Sequence, residues 1–208
     1  PERTRKTIMA GLGLFTILIG VPMFLETRNS LIVLGGLLLG GLAGEGLQIE
    51  SALNRLGVKL EARFGNGEDA AAQARFVRGF MTASLLFCIG PLAILGAIQD
   101  GLAGDYQLLA VKAIMDGFAS FAFASTLGWG VIFSAPVVFV YQGGIALFAA
   151  QLQGVMSETM TAELTATGGV LLLGLAVSSL LEIKRIRVGN FLPGLIVSPL
   201  IVFLLNVV

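Results

Sequence analysis

Long hydrophobic blocks alternate with short polar segments along the whole chain. Seven such blocks cover residues 8–25, 31–47, 76–98, 106–127, 131–152, 160–181 and 188–208. Each block is long enough, or nearly so, to cross a hydrocarbon core of about 30 Å as a helix. The pattern therefore predicts an all-α fold, a polytopic membrane helix bundle with about seven spans in this chain.

The basic residues predict how these spans are oriented. If the spans alternate from a cytoplasmic N-terminus, Arg28 falls outside, Lys112 falls within a span, and every other base lies on the cytoplasmic side. An excess of Lys and Arg in cytoplasmic loops is the signal that orients membrane proteins during insertion. We therefore expect a multi-pass protein of the inner (plasma) membrane. The N-terminus of this chain and residues 49–75 and 182–187 would be cytoplasmic.

One stretch between the second and third blocks is amphipathic. Apolar residues recur on one helical face of 49–64, and charged residues occupy the rest. At a cytoplasmic boundary this pattern predicts a helix that lies in the membrane interface. Residues 65–74, GNGEDAAAQA, follow it and predict a flexible cytoplasmic linker. We expect both segments to belong to a single membrane domain over 1–208.

Composition excludes several classes of function. Charged residues make up only 12% of the chain and the net charge is zero, so no electrostatic argument favours a nucleic-acid partner. The chain has no histidine and a single cysteine, Cys88, so it encodes neither a disulfide nor a cysteine–histidine metal site. Phosphate-binding loops, the G-x-S-x-G elbow and the HExxH motif are missing from the sequence. We expect no enzyme activity, no cofactor and no bound metal.

Glycines are spaced for close helix packing in the second block. Gly36, Gly40 and Gly44 lie four residues apart, which lets two helix backbones approach each other in lipid. The pattern fits packing within one chain and equally fits the seam of a homodimer. We expect a homodimer, because one copy supplies few spans with which to enclose an aqueous site. Membrane lipid is the other expected partner.

A weak internal repeat links the two ends of the chain. Residues 13–20, followed by 25–28, align with 167–174, followed by 181–184, after an insertion of two residues. The bases place the first copy from inside to outside and the second from outside to inside. Inverted repeats of this kind are typical of secondary transporters. The sequence therefore predicts broken helices arranged as inverted repeats.

Helix-breaking and ionisable residues concentrate in the third and fourth blocks. Gly90 and Pro91 lie near the middle of the third, where proline removes an amide donor. In the fourth, Lys112 and Asp116 lie one helical turn apart and Gly117 follows directly. We expect breaks at Gly90, Pro91 and Gly117. Lys112 either neutralises Asp116 or extends to the outer surface, and the second interpretation leaves Asp116 as a functional carboxylate.

Further polar residues complete a candidate binding site. Gln142 lies deep in the fifth block, and Glu163 opens the sixth together with two threonines, although Glu163 is equally interpreted as a helix cap. At the outer mouth, acids beside a glutamine either gather cations or form an ordinary turn. The predicted substrate- or ion-binding residues are Lys112, Asp116, Gln142, Glu163, Thr165, Thr167, Gln99 and Asp100.

Intramembrane ionisable groups are costly and usually functional, so these features favour a transporter for a small solute or ion, passive or ion-coupled. Two other functions remain open. A dimeric channel would need a continuous aqueous path, whereas a scaffold or sensor that does not transport would satisfy its polar groups internally. Asp116 bonded only to Lys112 would favour the scaffold.

Several segments together resemble a known family. They are TASLLFCIGPLAILGAIQDGLAGDYQLLAVKAIMDGFASFAFASTLG over 82–128, YQGG, AELTATGG and IKRIRVGNFLPGLIVSPLI. The chain resembles, over essentially its whole length, the YqgA/YdfK family of bacterial inner-membrane proteins (domain of unknown function 554). The resemblance implies candidate transport proteins without an established substrate. It also implies one more apolar helix upstream of Pro1, and so eight spans and an external N-terminus in the full family. It supplies no catalytic residues.

Overall fold

A computed structural model describes residues 2–65, 70–153 and 156–205 of the chain. These ranges contain helices and connecting turns but no strand, which confirms the all-α fold. The helices are α1 (Glu2–Leu25), α2 (Ser30–Leu47), α3 (Ile49–Phe64), α4 (Ala70–Ile89), α5 (Pro91–Ala103), α6 (Gln107–Leu127), α7 (Ser134–Leu147), α8 (Ala149–Gln153), α9 (Glu158–Leu175) and α10 (Gly194–Leu204). Short 3₁₀ turns precede α7 and α10, and a π-helical turn, Ala176–Leu180, extends α9.

Five helices in the described ranges are long and apolar enough to cross a membrane. They are Lys6–Leu25, Ser30–Leu47, Gln107–Leu127, Trp129–Leu147 and Glu158–Leu180. A bent pair, α4 with α5, gives a sixth if it counts as one span, and Val188–Leu204 is apolar but shorter. The structure thus supports five or six spans where the sequence pattern predicts seven. Large apolar side chains such as Phe121 and Phe139 are more than three-quarters exposed, which suits contact with lipid.

The third block is interrupted at Gly90. The axes of Ala70–Ile89 and Leu92–Ala103 differ by 62°. Proline at the first position of α5 explains the interruption, because it has no N–H to continue the hydrogen-bond ladder of α4.

The break expected at Gly117 is absent, and this prediction is wrong. Helix α6 runs from Gln107 to Leu127 without interruption through Asp116 and Gly117. The reason is that an isolated glycine in a helix interior costs only about 1 kcal/mol relative to alanine and keeps its N–H donor. The residues around it, mostly Ala, Leu, Met and Phe, sustain the helix on both sides.

Helix α3 occupies 49–64, the range that the amphipathic pattern predicts. The linker predicted over 65–74 differs from the structure in its second half. Residues 66–69 lie outside the described residues, whereas 70–74 already form the first turn of α4, so the linker prediction is wrong there. The sequence AAAQA explains this outcome, because alanine and glutamine have high intrinsic helix propensity.

The chain divides into two compact units that alternate along the sequence. The first unit comprises Pro1–Met9, Ser51–Cys88 and Leu92–Gln153. Its core includes the fully buried side chains of Phe80 and Phe123. The second unit comprises Ala10–Glu50, Ile89–Pro91 and Gly154–Val208, so it joins the hairpin α1–α2 to the C-terminal helices α9 and α10.

Within the second unit, α2 packs against α10 along its glycines. A Cβ atom at Gly36 would overlap the hydroxyl oxygen of Ser198, and one at Gly40 would overlap the backbone of Gly194. Gly44 is equally close to the backbone of Asn190, one turn before α10. The spacing of four therefore serves antiparallel packing inside one chain, the first of the two interpretations above. A homodimer remains a prediction, but α10 already covers the face of α2 that carries these glycines.

Helices α1 and α9 of the same unit also approach closely. A Cβ atom at Gly20 would lie 2.9 Å from the carbonyl oxygen of Gly169, and a Cβ atom at Gly169 would lie 2.5 Å from the carbonyl oxygen of Gly20. Small residues are thus required on both sides of this contact, as expected where packing rather than hydrophobic force joins helices in lipid.

Candidate functional site

Lys112 and Asp116 form an ion pair on α6 in the first unit. The Lys112 Nζ donates to the Asp116 Oδ2 one turn further along the helix. The side chain of Lys112 is 8% exposed and that of Asp116 is 26% exposed. The Lys112 Nζ also lies 5.9 Å from the centroid of the Phe87 ring. The interpretation that Lys112 extends to the outer surface is wrong, because its ammonium is buried between the Asp116 carboxylate and the Phe87 ring.

Three other buried polar groups of the first unit are not satisfied by the protein. The amide nitrogen of Gln142 on α7 and the hydroxyls of Thr82 and Ser84 on α4 have no hydrogen-bond partner among the described residues. Thr82 and Ser84 are almost completely buried, at 1% and 2% exposure. An unsatisfied buried polar group costs about 1–3 kcal/mol, and helical Ser and Thr usually avoid this cost by bonding the carbonyl one turn back.

Sequence analysis identified Gln142 but missed the two hydroxyls. Thr82 and Ser84 lie in the segment TASLLF, one to two turns before the break at Gly90. Polar residues close to an interruption at membrane depth were the signal that could have found them.

Electrostatic interactions link residues of α4, α6 and α7 near the Lys112–Asp116 pair. Cys88 follows Ser84 by one turn and lies within electrostatic range of both Lys112 and Asp116, and Tyr141, next to Gln142, lies within range of Cys88. Helices α4, α6 and α7 all contribute polar side chains, and we call these side chains the α4–α6–α7 polar region. They are Thr82, Ser84, Cys88, Lys112, Asp116, Tyr141 and Gln142.

The residues predicted at the outer mouth lie in the last turns of α5. Gln99 is exposed and Asp100 is half-buried. Gly101, the next residue, would overlap the backbone of Ala146 if it carried a Cβ atom. Ala146 follows Gln142 by four residues on α7, about 6 Å along the helix axis. The polar end of α5 therefore lies near the turn of α7 that follows Gln142.

Glu163 lies in the second unit and anchors the turn between α1 and α2. Its side chain is fully buried, and its carboxylate accepts hydrogen bonds from the Thr27 hydroxyl (2.6 Å) and the backbone N–H groups of Arg28 and Asn29 (2.9 Å each). Asn29 in turn caps α2. The interpretation of Glu163 as a cap of its own helix is wrong, because Ser157 caps α9. The carboxylate of Glu163 therefore has a structural role, because its three hydrogen bonds hold the turn between α1 and α2.

Thr165 and Thr167 are both satisfied inside the second unit. The Thr165 hydroxyl donates to the carbonyl of Thr161 at 2.8 Å, one turn back along α9. The Thr167 hydroxyl lies 2.7 Å from the carbonyl of Glu163 and 2.7 Å from the Ser198 hydroxyl on α10. Sequence analysis missed Ser198. The sequence feature that could have identified it is a serine beside Pro199 in an otherwise apolar segment.

A second carboxylate cluster of this unit surrounds the segment before α10. Glu50 accepts a hydrogen bond from the N–H of Gly189 (2.8 Å), and its own N–H donates to the side chain of Asn190 (2.8 Å). Asn190 also donates to Glu45 at 2.6 Å, and Arg187 forms an ion pair with Glu45. Burial raises the pKa of Glu50 above its ordinary value, although the Gly189 N–H and the charges of Arg185 and Arg187 oppose this rise.

The predicted site residues thus divide between the units. Lys112, Asp116, Gln142, Gln99 and Asp100 belong to the first, whereas Glu163, Thr165 and Thr167 belong to the second. In the part of the chain that the structure describes, no three His, Cys, Asp or Glu side chains come together as a metal site would require.

Two known bacterial proteins have sequences similar to this chain. It is 31% identical over 209 residues to the "Uncharacterized membrane protein YdfK" of Bacillus subtilis (strain 168), covering 99% of this chain and 86% of that protein. It is 30% identical over 199 residues to the "Uncharacterized protein YqgA" of Escherichia coli (strain K12), covering 95% and 84%. No solved structure matches it.

The description of the Bacillus relative and the apolar helices together identify a membrane protein. Residues 1–203 match one family over almost the entire chain. The chain belongs to the family described as "Protein of unknown function (DUF554)".

Proposed function

We propose that this protein is a transporter that moves a small solute or ion across the bacterial inner membrane. The polar groups of the α4–α6–α7 polar region would contact the solute and its water. The N-terminus of this chain, α3 and the segment before α10 would face the cytoplasm, as the distribution of bases favours. The substrate class extends to cations, because the ionisable groups include a carboxylate that a cation or proton can occupy.

The observation that carries this proposal is the set of unpartnered polar atoms. Thr82, Ser84 and Gln142 together forgo hydrogen bonds worth several kcal/mol, at about 1–3 kcal/mol each. A membrane protein tolerates such groups where water or a ligand reaches them, and the interruption at Gly90 frees further backbone carbonyls beside them.

The arrangement of the second unit supports inverted repeats. Helix α2 of its hairpin α1–α2 packs antiparallel against α10 of its C-terminal pair α9–α10: Gly36 contacts Ser198, and Gly40 contacts Gly194. The connections inside both pairs are held by carboxylates, the buried Glu163 for one and the half-buried Glu50 for the other. Repeats related by an axis in the membrane plane are typical of alternating-access transporters.

One observation favours a scaffold or sensor instead. Asp116 is bonded to Lys112, which is the arrangement expected if the pair has only a structural role. The two functions differ in a measurable way. In a scaffold, the hydroxyl of Ser84 and the amide of Gln142 could be removed without consequence for any flux, since no flux would exist.

Solute flux in proteoliposomes tests the proposal. Wild-type protein is screened against ions and small metabolites, and then compared with Ser84→Ala and Gln142→Leu. We expect both variants to fold at least as well as the wild type, because each loses an unsatisfied polar group, and to lose most of the flux. Ser125→Ala is the matched control, because the Ser125 hydroxyl is exposed and bonds the carbonyl of Ala122 on its own helix.

Three outcomes are informative. Flux that both variants reduce, with Ser125→Ala unaffected, supports the transporter. Flux of wild-type protein through a path open to both sides at once, seen as discrete conductance steps, would instead support the dimeric channel. Wild-type protein that moves no solute in the screen, while the variants only gain stability, would support the scaffold.

A further inference from the structure

An apolar cavity in the second unit lies beside α9. It has a volume of about 390 Å³ and is lined by nine residues, all of them aliphatic, aromatic or glycine. Leu37 of α2 lines the cavity, as do Val170 and Gly174 of α9 and Val177 of the π-helical turn that extends α9. Residues 170–177 extend over about 10 Å at about 1.5 Å per residue. The volume falls within the roughly 300–1,000 Å³ that is typical of ligand sites.

The lining restricts what this cavity can bind. No side chain in it can donate or accept a hydrogen bond, so a charged or strongly polar solute would lose its hydration without compensation. A hydrocarbon chain loses nothing on entry and gains apolar contact. The cavity therefore fits an acyl chain.

The segment that contributes Ile186 and Val188 to the cavity lining is basic. Ile186 and Val188 line the cavity, and the residues beside them along the chain are Lys184, Arg185 and Arg187, all exposed. Arg187 is paired with Glu45, so Lys184 and Arg185 are the two bases that can receive an incoming anion. Ile183, just before them, is 71% exposed.

We propose that this part of the second unit is a binding site for an anionic phospholipid. One acyl chain lies in the apolar cavity along α9, and the phosphate lies against Lys184 and Arg185. An apolar cavity whose lining segment carries exposed bases complements a molecule with a hydrocarbon tail and a negative head, and bases at the membrane surface attract such headgroups. The exposed Ile183 would insert among neighbouring lipids.

The site has a structural consequence for the segment before α10. Arg185 and Arg187 also act electrostatically on Glu50, which bonds the N–H of Gly189. A phosphate bound at Arg185 would withdraw part of that positive charge from Glu50. Lipid binding and the attachment of this segment to α2 and α3 are therefore coupled.

Native mass spectrometry of the detergent-purified protein tests the proposal. The protein is titrated with palmitoyl-oleoyl phosphatidylglycerol and, separately, with the zwitterionic phosphatidylcholine that has the same chains. We expect tighter binding of phosphatidylglycerol. Lys184→Gln/Arg185→Gln should weaken phosphatidylglycerol binding by roughly fivefold for each base removed, the factor that a base near an anionic surface contributes. Its binding of phosphatidylcholine should not change.

Further variants distinguish the contribution of the acyl chain to binding from that of the headgroup. Val177→Trp fills the cavity and should weaken binding of both lipids, and Leu173→Trp serves the same purpose if the first variant does not fold. Arg55→Gln/Lys59→Gln removes the same charge from two exposed positions of α3 and should leave both affinities unchanged.

Several results would overturn the proposal. The first is equal affinity of the wild type for the two lipids. The second is unchanged phosphatidylglycerol binding by Lys184→Gln/Arg185→Gln. The third is unchanged lipid binding by a folded variant in which tryptophan fills the cavity. Competition by soluble glycerol 3-phosphate, which has no acyl chain, would show that the bases bind a free anion and that the cavity takes no part.

Discussion

Replacing Gly40 by alanine provides a strict test of how α2 packs in the second unit. A Cβ atom at this position would overlap the backbone nitrogen and Cα of Gly194. Backbone atoms cannot rotate away as a side chain can, so α2 and α10 would have to separate. The separation would also disturb the hydrogen bond between Thr167 and Ser198, because Ser198 contacts α2 one turn away.

The magnitude follows from two opposing effects. Overpacking a close contact costs about 1–3 kcal/mol. The cost should lie at the upper end of this range, about 3 kcal/mol, when the contact is with backbone atoms that cannot move aside. Exchange of glycine for alanine in a helix returns about 1 kcal/mol through intrinsic propensity. We therefore expect Gly40→Ala to destabilise the protein by about 2 kcal/mol. Gly46→Ala is the control on the same helix, because a Cβ atom there meets nothing within 4 Å.

Unfolding in mixed micelles with increasing sodium dodecyl sulfate, followed by circular dichroism, measures this difference. Gly46→Ala should match the wild type or exceed its stability slightly, and Gly40→Ala should unfold at clearly lower detergent fraction. Gly41→Ala should fall between them, since its Cβ atom would meet the ring of Phe191, which can turn aside. If Gly40→Ala and Gly46→Ala unfold together, the close contact between α2 and α10 is wrong.

Three other predictions concern the carboxylates. Glu163→Leu should destabilise the protein by about 3 kcal/mol or more, because the N–H groups of Arg28 and Asn29 lose their acceptor. Glu163→Gln keeps an oxygen for these groups and should cost about half as much. The same detergent titration measures both variants, and equal losses would contradict the role of Glu163 in holding the turn between α1 and α2. Burial raises the pKa of Glu50, so the folded state binds this proton more tightly than the unfolded state does. Stability should therefore fall as pH rises from 4.5 through the raised pKa, and Glu50→Gln should abolish this part of the decline in melting temperature; a decline of unchanged size would contradict the assignment. Asp116→Asn leaves the buried ammonium of Lys112 without its carboxylate and should destabilise the protein by about 3–5 kcal/mol, and adding Lys112→Met should restore the stability. Flux in proteoliposomes is then measured for the double variant: loss of flux would assign Asp116 to transport, whereas full flux would show that the ion pair is structural.

Local features of the sequence predicted local structure well. The amphipathic pattern of 49–64 yields α3 because a single segment determines its own periodicity, and Gly90–Pro91 interrupts a helix because proline lacks a donor. Gly117 shows the limit of this reasoning. A glycine permits a break but does not impose one, and the sequence beside it supports a helix on both sides.

Features that depend on partners far along the chain could not be predicted. Glu163 is polar in an apolar block, and nothing local distinguishes a binding carboxylate from an anchor. Its donors are 134 to 136 positions away in the turn between α1 and α2. The glycine spacing of α2 likewise predicted a close approach but not the partner, because the same spacing suits α10 and a second copy of the chain.

The contact between Glu45 and Asn190 joins residues that are 145 positions apart in the chain. Synthesis at about 5–20 residues per second separates their appearance by roughly 7–30 s. During that interval the newly inserted α2 has its glycines in lipid without α10 to cover them. The hairpin α1–α2 therefore completes its packing only after α10 has left the ribosome, and a chain that stops before α10 leaves the glycine face of α2 uncovered.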